Sequence, residues 1–372
     1  MSEYQYYEFQ TIDRLLNSAE QAEVAGLSSH IAVTAGRAVV SYSYGGGFRH
    51  DLQQVLSRYF DAGLYIANWG SRRLLFRFPT GSLEQAAVAP YCRKGLLELV
   101  KVGAHLILDI ELDEERGLGW VDEPDDTLSA LISLRDVILE GDYRSLYLVW
   151  LKAVAADSSA AVADEQEPPV PAGLRKLTPA LQRLAQFFDI APDLIESAAT
   201  LSPTEAAALP DQALRQAIAR LPRADSDELL WRLAKGEARL GPILKQRLRG
   251  LLEASPVPVA ARRRSVRQLR QTADELRLQA EMRRREVAET QRVAGLKKLA
   301  KREALAWQSV ETLLQQGQAR AYDEAVSLLS QLRELAEFQQ TQPEFKQRLS
   351  ALRVRYHSRH SLLKRLDQAG LL

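Results

Sequence analysis

Five histidines and one cysteine are the side chains of this 372-residue chain best suited to nucleophilic or metal chemistry, so their spacing comes first. His30, His50 and His105 stand apart in sequence, whereas His357 and His360 lie three apart, a separation that can offer two imidazoles to one metal from a helix end. Their neighbours are Arg353, Arg355 and Arg359, whose charges repel a cation, and no acid beside them completes a ligand set. Cys92 is the only cysteine, which excludes an intrachain disulfide, a CxxC redox pair and any multi-cysteine zinc site. The expectation is no metal and no cofactor.

Gly45, Gly46 and Gly47 form the one glycine run that resembles a phosphate loop. A Walker loop needs GxxxxGK[ST], with lysine on the phosphates and a hydroxyl on Mg²⁺, but Phe48, Arg49 and His50 follow here. The dinucleotide pattern GxGxxG is missing as well, so a turn is expected, with Arg49 and His50 kept as an anion candidate. Trp69, Arg72 and Arg73, with Tyr4, Tyr6, Tyr7 and Phe9, place aromatics near cations, a combination that stacks bases when it is interleaved on a sheet. An acidic loop from Glu111 to Asp126 lacks the alternating oxygens and central glycine of an EF-hand, so it reads as solvated. No nucleophile–base motif and no paired-acid signature is present, so no catalytic residue is assigned.

Positive charge is the feature that remains. Three clusters punctuate the second half: Arg262, Arg263 and Arg264; Arg283, Arg284 and Arg285; and Lys297, Lys298, Lys301 and Arg302. Formal net charge is −8 over residues 1–160, −1 over 161–260 and +10 over 261–372, although the whole chain carries only +1. Cations strung along one rod can track a phosphate backbone or meet an acidic partner. An apolar face in residues 321–339, comprising Leu328, Leu329, Leu332 and Leu335 with Ala325, is the candidate surface for docking a protein.

The elements that must position these residues follow from periodicity. Residues 261–301 contain no proline and a single glycine, Gly295, and are dominated by helix formers. As one helix they would run about 60 Å. Val266, Leu269, Ala273, Leu276 and Ala280 keep a heptad spacing that breaks at Arg283. Arg277, Glu281, Arg285 and Glu289 suggest an i,i+4 charge ladder, so the expectation is an arm partly covered by shorter helices. Alternating segments at 4–9, 30–34, 38–44, 64–68, 74–78, 96–102 and 105–112 read as strands. Helices are expected at 11–26, from a cap at Asp51, and at 82–89, 128–140 and 143–155. The fold class is α+β, mostly antiparallel, followed by an all-α region. The expected organisation is an α+β domain at 1–156, a proline- and acid-rich linker at 157–172, a small helical domain at 173–256, and the long helix with its hairpin tail at 257–372.

Three stretches, YEFQTIDR at 7–14, RYFDAGLYIANWGSRRLLFRF at 58–78 and EPPVPAGL at 167–174, together resemble an uncharacterised family of bacterial proteins. That resemblance spans most of the chain and implies no activity. LAKREALAW at 299–307 and AYDEAVSLLSQLRELA at 321–336 are similar to the C-terminal helical region of bacterial SWIM zinc-finger proteins. The zinc motif of those proteins is associated with nucleic-acid or protein binding. With Cys92 alone this chain cannot build that finger, so the resemblance implies only a shared helical docking module. The sequence therefore points to a non-enzymatic interaction protein, with a protein partner first and direct nucleic-acid binding through the Arg/Lys clusters second. An enzyme using an anion site near residues 45–50 and 72–73 is the third reading. The N-terminus has no basic, apolar leader, and no run of about 18 apolar residues occurs, so a cytoplasmic protein with no membrane span is expected.

Overall fold

The computed structural model describes residues 3–43, 46–113, 126–157, 159–204, 211–236, 240–252 and 264–371. Strands β1 (Tyr4–Gln10), β2 (Ile31–Val33), β3 (Arg37–Ser43), β4 (Ala62–Ala67), β5 (Arg72–Pro79), β6 (Leu97–Val102) and β7 (His105–Leu112) form one sheet in the order β2-β3-β1-β4-β5-β7-β6. Every neighbouring pair is antiparallel, as expected for strands joined by short connections. Period-two alternation gives the sheet two apolar faces, each needing its own cover.

Helices α1 (Ser18–Ala25) and α2 (Leu52–Tyr59) lie on the first face. Phe9, Val40, Leu75 and Ile107 of the sheet share a core there with Val55, Leu56 and Phe60. Gly63 sits beneath α2, where an added Cβ would come within 3.4 Å of both Leu56 and Phe9, so a bare backbone allows the close approach. The short α3 (Gln85–Val88) lies between β5 and β6, and α4 (Thr127–Leu131), α5 (Ser133–Leu139) and α6 (Arg144–Ala156) follow β7. The second face buries Tyr6, Leu64, Leu74, Phe76 and Leu108 against Leu128, Ile138, Leu148 and Trp150 of these helices.

The same core continues into later elements. A single-turn α7 (Ala160–Ala163) precedes α8 (Pro179–Phe187) and α9 (Pro192–Leu201), whose Leu184, Phe188 and Ala198 are fully buried. Residues of the proline-rich stretch are part of this packing: Pro168 is buried, and Glu167 is 1% exposed. Helices α10 (Asp211–Arg220), α11 (Arg223–Ala234) and α12 (Leu240–Leu252) share a small cluster built on Leu229, Leu240 and Ile243. The long α13 (Val266–Ala300) contributes Val266, Leu269 and Ala273 to the main core. Helices α14 (Glu303–Gln316), α15 (Ala319–Gln339), α16 (Gln342–Arg355) and α17 (His360–Gln368) form a second core with Leu296 and Leu299. By contact density the chain is two compact units, Met1–Arg277 and Leu278–Leu372, divided within α13. Among the described residues, no helix is long and apolar enough to cross a membrane.

Two local expectations are corrected. Residues 11–17 are not helical: α1 begins at an Asn17/Glu20 capping box. The buried Asp61 carboxylate takes the Ile12 and Asp13 amides at 2.6 and 2.9 Å, which pins that segment outside helical geometry. The i,i+4 ladder on α13 gives way to i,i+3 pairs, Arg277 with Asp274 at 2.5 Å and Arg292 with Glu289 at 2.7 Å. Ser265 and Gln268 cap the start of α13 reciprocally, at 3.0 and 3.3 Å, a S-x-x-Q signature present in the sequence.

Candidate functional site

Alternation along β5 separates two residues that sequence proximity had joined. Arg72 points to the second face of the sheet, is 9% exposed, and donates to the Phe187 carbonyl at the end of α8. Arg73 points to the first face, where Asp109 grips it at 2.6 and 2.8 Å. Gln53 supports the same carboxylate at 2.6 Å. Register places Tyr7, Tyr65, Arg73 and Glu111 directly opposite one another across β1, β4, β5 and β7. Phe48 and His50 lean over this row, so that Tyr7, Phe48, His50, Asp51, Gln53, Tyr65 and Arg73 line an open cleft of about 460 Å³. Trp69 is outside it, donating to Ser71 at 2.8 Å, and Arg49 is exposed.

Tyr7 and Tyr65 stack at 4.6 Å. Burial pushes both phenols above their ordinary pKa, and the Tyr7 hydroxyl adds to the effect on Tyr65. The hydrogen bonds to Asp109 hold Arg73 charged. Each of these shifts moves its group away from reactivity near neutral pH. Among the described residues no group of three or more His, Cys, Asp or Glu is placed to hold a metal ion. His357 and His360 are both exposed; His357 Nδ1 lies 3.0 Å from the Val354 carbonyl.

The basic clusters divide into buried and free. Arg262 and Arg263 lie outside the described residues. Arg264 is withdrawn from any surface: its side chain is 10% exposed and its guanidinium pairs at 2.7 Å with Glu167, whose side chain is 1% exposed. Arg264 also reaches the Ser197 carbonyl at 3.0 Å, while Tyr147 donates its hydroxyl to Glu167. A buried carboxylate needs such a partner, and this one lies 97 residues away, beyond the reach of local sequence patterns. In contrast, Arg283, Arg284, Arg285, Lys297, Lys298, Lys301 and Arg302 are all exposed, and among the described residues their side chains make no ion pair or hydrogen bond.

Helical geometry arranges four of the free cations. At about 100° per residue, Arg283, Arg284, Lys297 and Lys298 fall within an arc of about 140°, and the two pairs are about 21 Å apart along the axis. Between them the arc presents Val287, Thr290, Gln291 and Ala294, all exposed and uncharged. Glu281 and Glu289 project outside the arc, and Glu286 flanks its edge. Leu296 and Leu299, buried in the second core, mark the opposite side. Arg292 is on that side too, held by Glu289 and by Glu334 of α15 at 2.7 and 2.8 Å. Residues 278–371 carry 17 Lys and Arg against 11 Asp and Glu, so this face sits on a unit of net +6.

The expected docking face is largely internal. Leu329, Leu332 and Leu335 are 1, 2 and 1% exposed and pack against α14, α16 and α17; Leu328 is half-buried at their edge. Four helices must bury a stripe each, and the strongest stripe of α15 serves its own bundle. No family model, no curated protein and no solved structure matches the chain.

Proposed function

We propose that this is a non-enzymatic binding protein whose C-terminal unit contacts nucleic-acid phosphates through the face of α13 that carries Arg283, Arg284, Lys297 and Lys298. The observation that carries this reading is the pairing pattern. Neighbouring cations such as Arg292, Arg320 and Arg365 are matched with carboxylates, whereas these four stand exposed, unpaired and on one side. Unneutralised cations at that spacing release counterions when they meet a polyanion, which is the dominant sequence-independent driving force for nucleic-acid binding. Burial of Leu329, Leu332 and Leu335 lowers the standing of apolar docking on α15 and raises that of an electrostatic partner.

The test is fluorescence anisotropy with a labelled duplex at low salt. Replacing all four cations, R283Q/R284Q/K297Q/K298Q, should weaken binding by about tenfold or more, because each phosphate contact contributes independently. Arg292→Gln, on the opposite side, should leave affinity within about twofold, since that cation is already neutralised. A quadruple variant that binds as the parent does would sink the proposal. Binding to an acidic protein but to no oligonucleotide would move the reading to a protein partner on the same face.

A further inference from the structure

Between α15 and α16 lies a pocket of about 350 Å³ that is separate from the α13 face and independent of the reading above. Its floor is apolar: Ala336, Phe345, Leu349 and Leu371 are each 6% exposed where they meet the cavity. Trp307 packs behind Phe345 with ring centres 5.7 Å apart, so the floor is backed by the bundle core. Gly370 and Leu371 line one side, where Leu371 folds back to donate its amide to the Leu366 carbonyl at 2.9 Å.

The rim is cationic. Arg333, Lys346 and Arg353 line it, and Glu337 is the one acid among the described lining residues. Arg333 is oriented by donating to the Gly370 carbonyl at 2.8 Å, whereas the side chains of Lys346 and Arg353, two turns apart on α16, are exposed and make no ion pair or hydrogen bond among the described residues. Three like charges round one cavity repel one another, and a single carboxylate does not balance them. A ligand anion placed among them would gain all three interactions, while the floor beneath has apolar surface to cover. The volume lies within the range of small-molecule sites.

We infer that this pocket binds a small amphiphilic anion, an alkyl chain ending in a carboxylate, with the headgroup among Arg333, Lys346 and Arg353 and the chain on Phe345 and Leu349. A floor of four apolar side chains and a volume of about 350 Å³ fit a small molecule better than a partner helix, which needs a groove along several turns.

Isothermal titration calorimetry on the full chain tests this, with sodium octanoate as the probe and octanol and acetate as controls. Octanoate should give saturable binding, with both controls at least about tenfold weaker because each lacks one half of the recognition. K346Q/R353Q should weaken octanoate by at least about tenfold with an unchanged melting temperature, since both side chains are exposed. Glu337→Gln should tighten it by about threefold or more, by removing the one opposing charge. Equal binding of octanol and octanoate, an unaffected double variant, or no saturable binding of octanoate at millimolar concentration would each overturn the inference.

Discussion

Arg264 offers the sharpest test of how the first unit is held together. Residues 165–167 and 264–266 exchange backbone hydrogen bonds: Glu167 N–H reaches the Arg264 carbonyl at 3.0 Å, and Val266 N–H reaches that of Glu165 at 2.9 Å. The Glu167–Arg264 ion pair closes this clasp, and Tyr147 and Ser197 satisfy what the pair leaves open. Arg264→Gln would leave the Glu167 carboxylate buried without a counter-charge, and Glu167→Gln would strand the guanidinium. Removing one member of a buried pair costs about 3–5 kcal/mol, a large share of the roughly 5–15 kcal/mol that holds a domain together. Urea denaturation of both single variants and the double variant gives the cycle. Each single should lose about 3–5 kcal/mol, and the double should lose less than their sum by about 1–3 kcal/mol. A single-variant loss below about 1 kcal/mol, typical of an exposed pair, would refute the reasoning and return Arg264 to the surface cluster.

The remaining predictions are smaller in scope. Leu332→Ala removes a side chain that is 2% exposed and should destabilise the C-terminal unit by about 2–5 kcal/mol. Hydrogen exchange should show faster amides in α15 while sheet amides are unchanged; unaltered protection would restore Leu332 as a surface contact. Burial and then the Arg77 charge hold the His105 pKa below its ordinary value, so the fold accommodates the neutral ring. Its contribution is complete above the unfolded value of about 6.5 and is lost as pH falls below that value and through the lower folded one. Urea midpoints should therefore drop less between pH 7.5 and 5.5 in His105→Gln than in the parent, and identical slopes would show that the histidine is not linked to folding.

What was legible in the sequence is what local physics determines. Alternation located the strands, and Asp51 announced α2 by capping Gln53 and Gln54. Proline-free helix formers located α13 to within a few residues. What escaped depends on partners remote in sequence. Residues 11–17 read as helix because nothing nearby reveals that Asp61 will claim the amides of Ile12 and Asp13. The cluster at 262–264 read as uniform, although Arg264 answers a carboxylate in a proline-rich stretch that composition marks as a linker. Tyr7, Tyr65 and Arg73 form a row only through strand register, which neither β1 nor β5 encodes alone. The pocket between α15 and α16 needed a pairing of helices that amphipathicity leaves open.

The salt dependence of duplex binding by the unmodified protein tests the central claim most directly. Four phosphate contacts predict a slope of about −3.6 for log affinity against log salt, equivalent to a roughly 150-fold loss between 50 and 200 mM. Four-cation replacement should flatten that slope towards zero. An affinity that hardly changes over the same range, or a slope untouched by removing Arg283, Arg284, Lys297 and Lys298, would contradict the account.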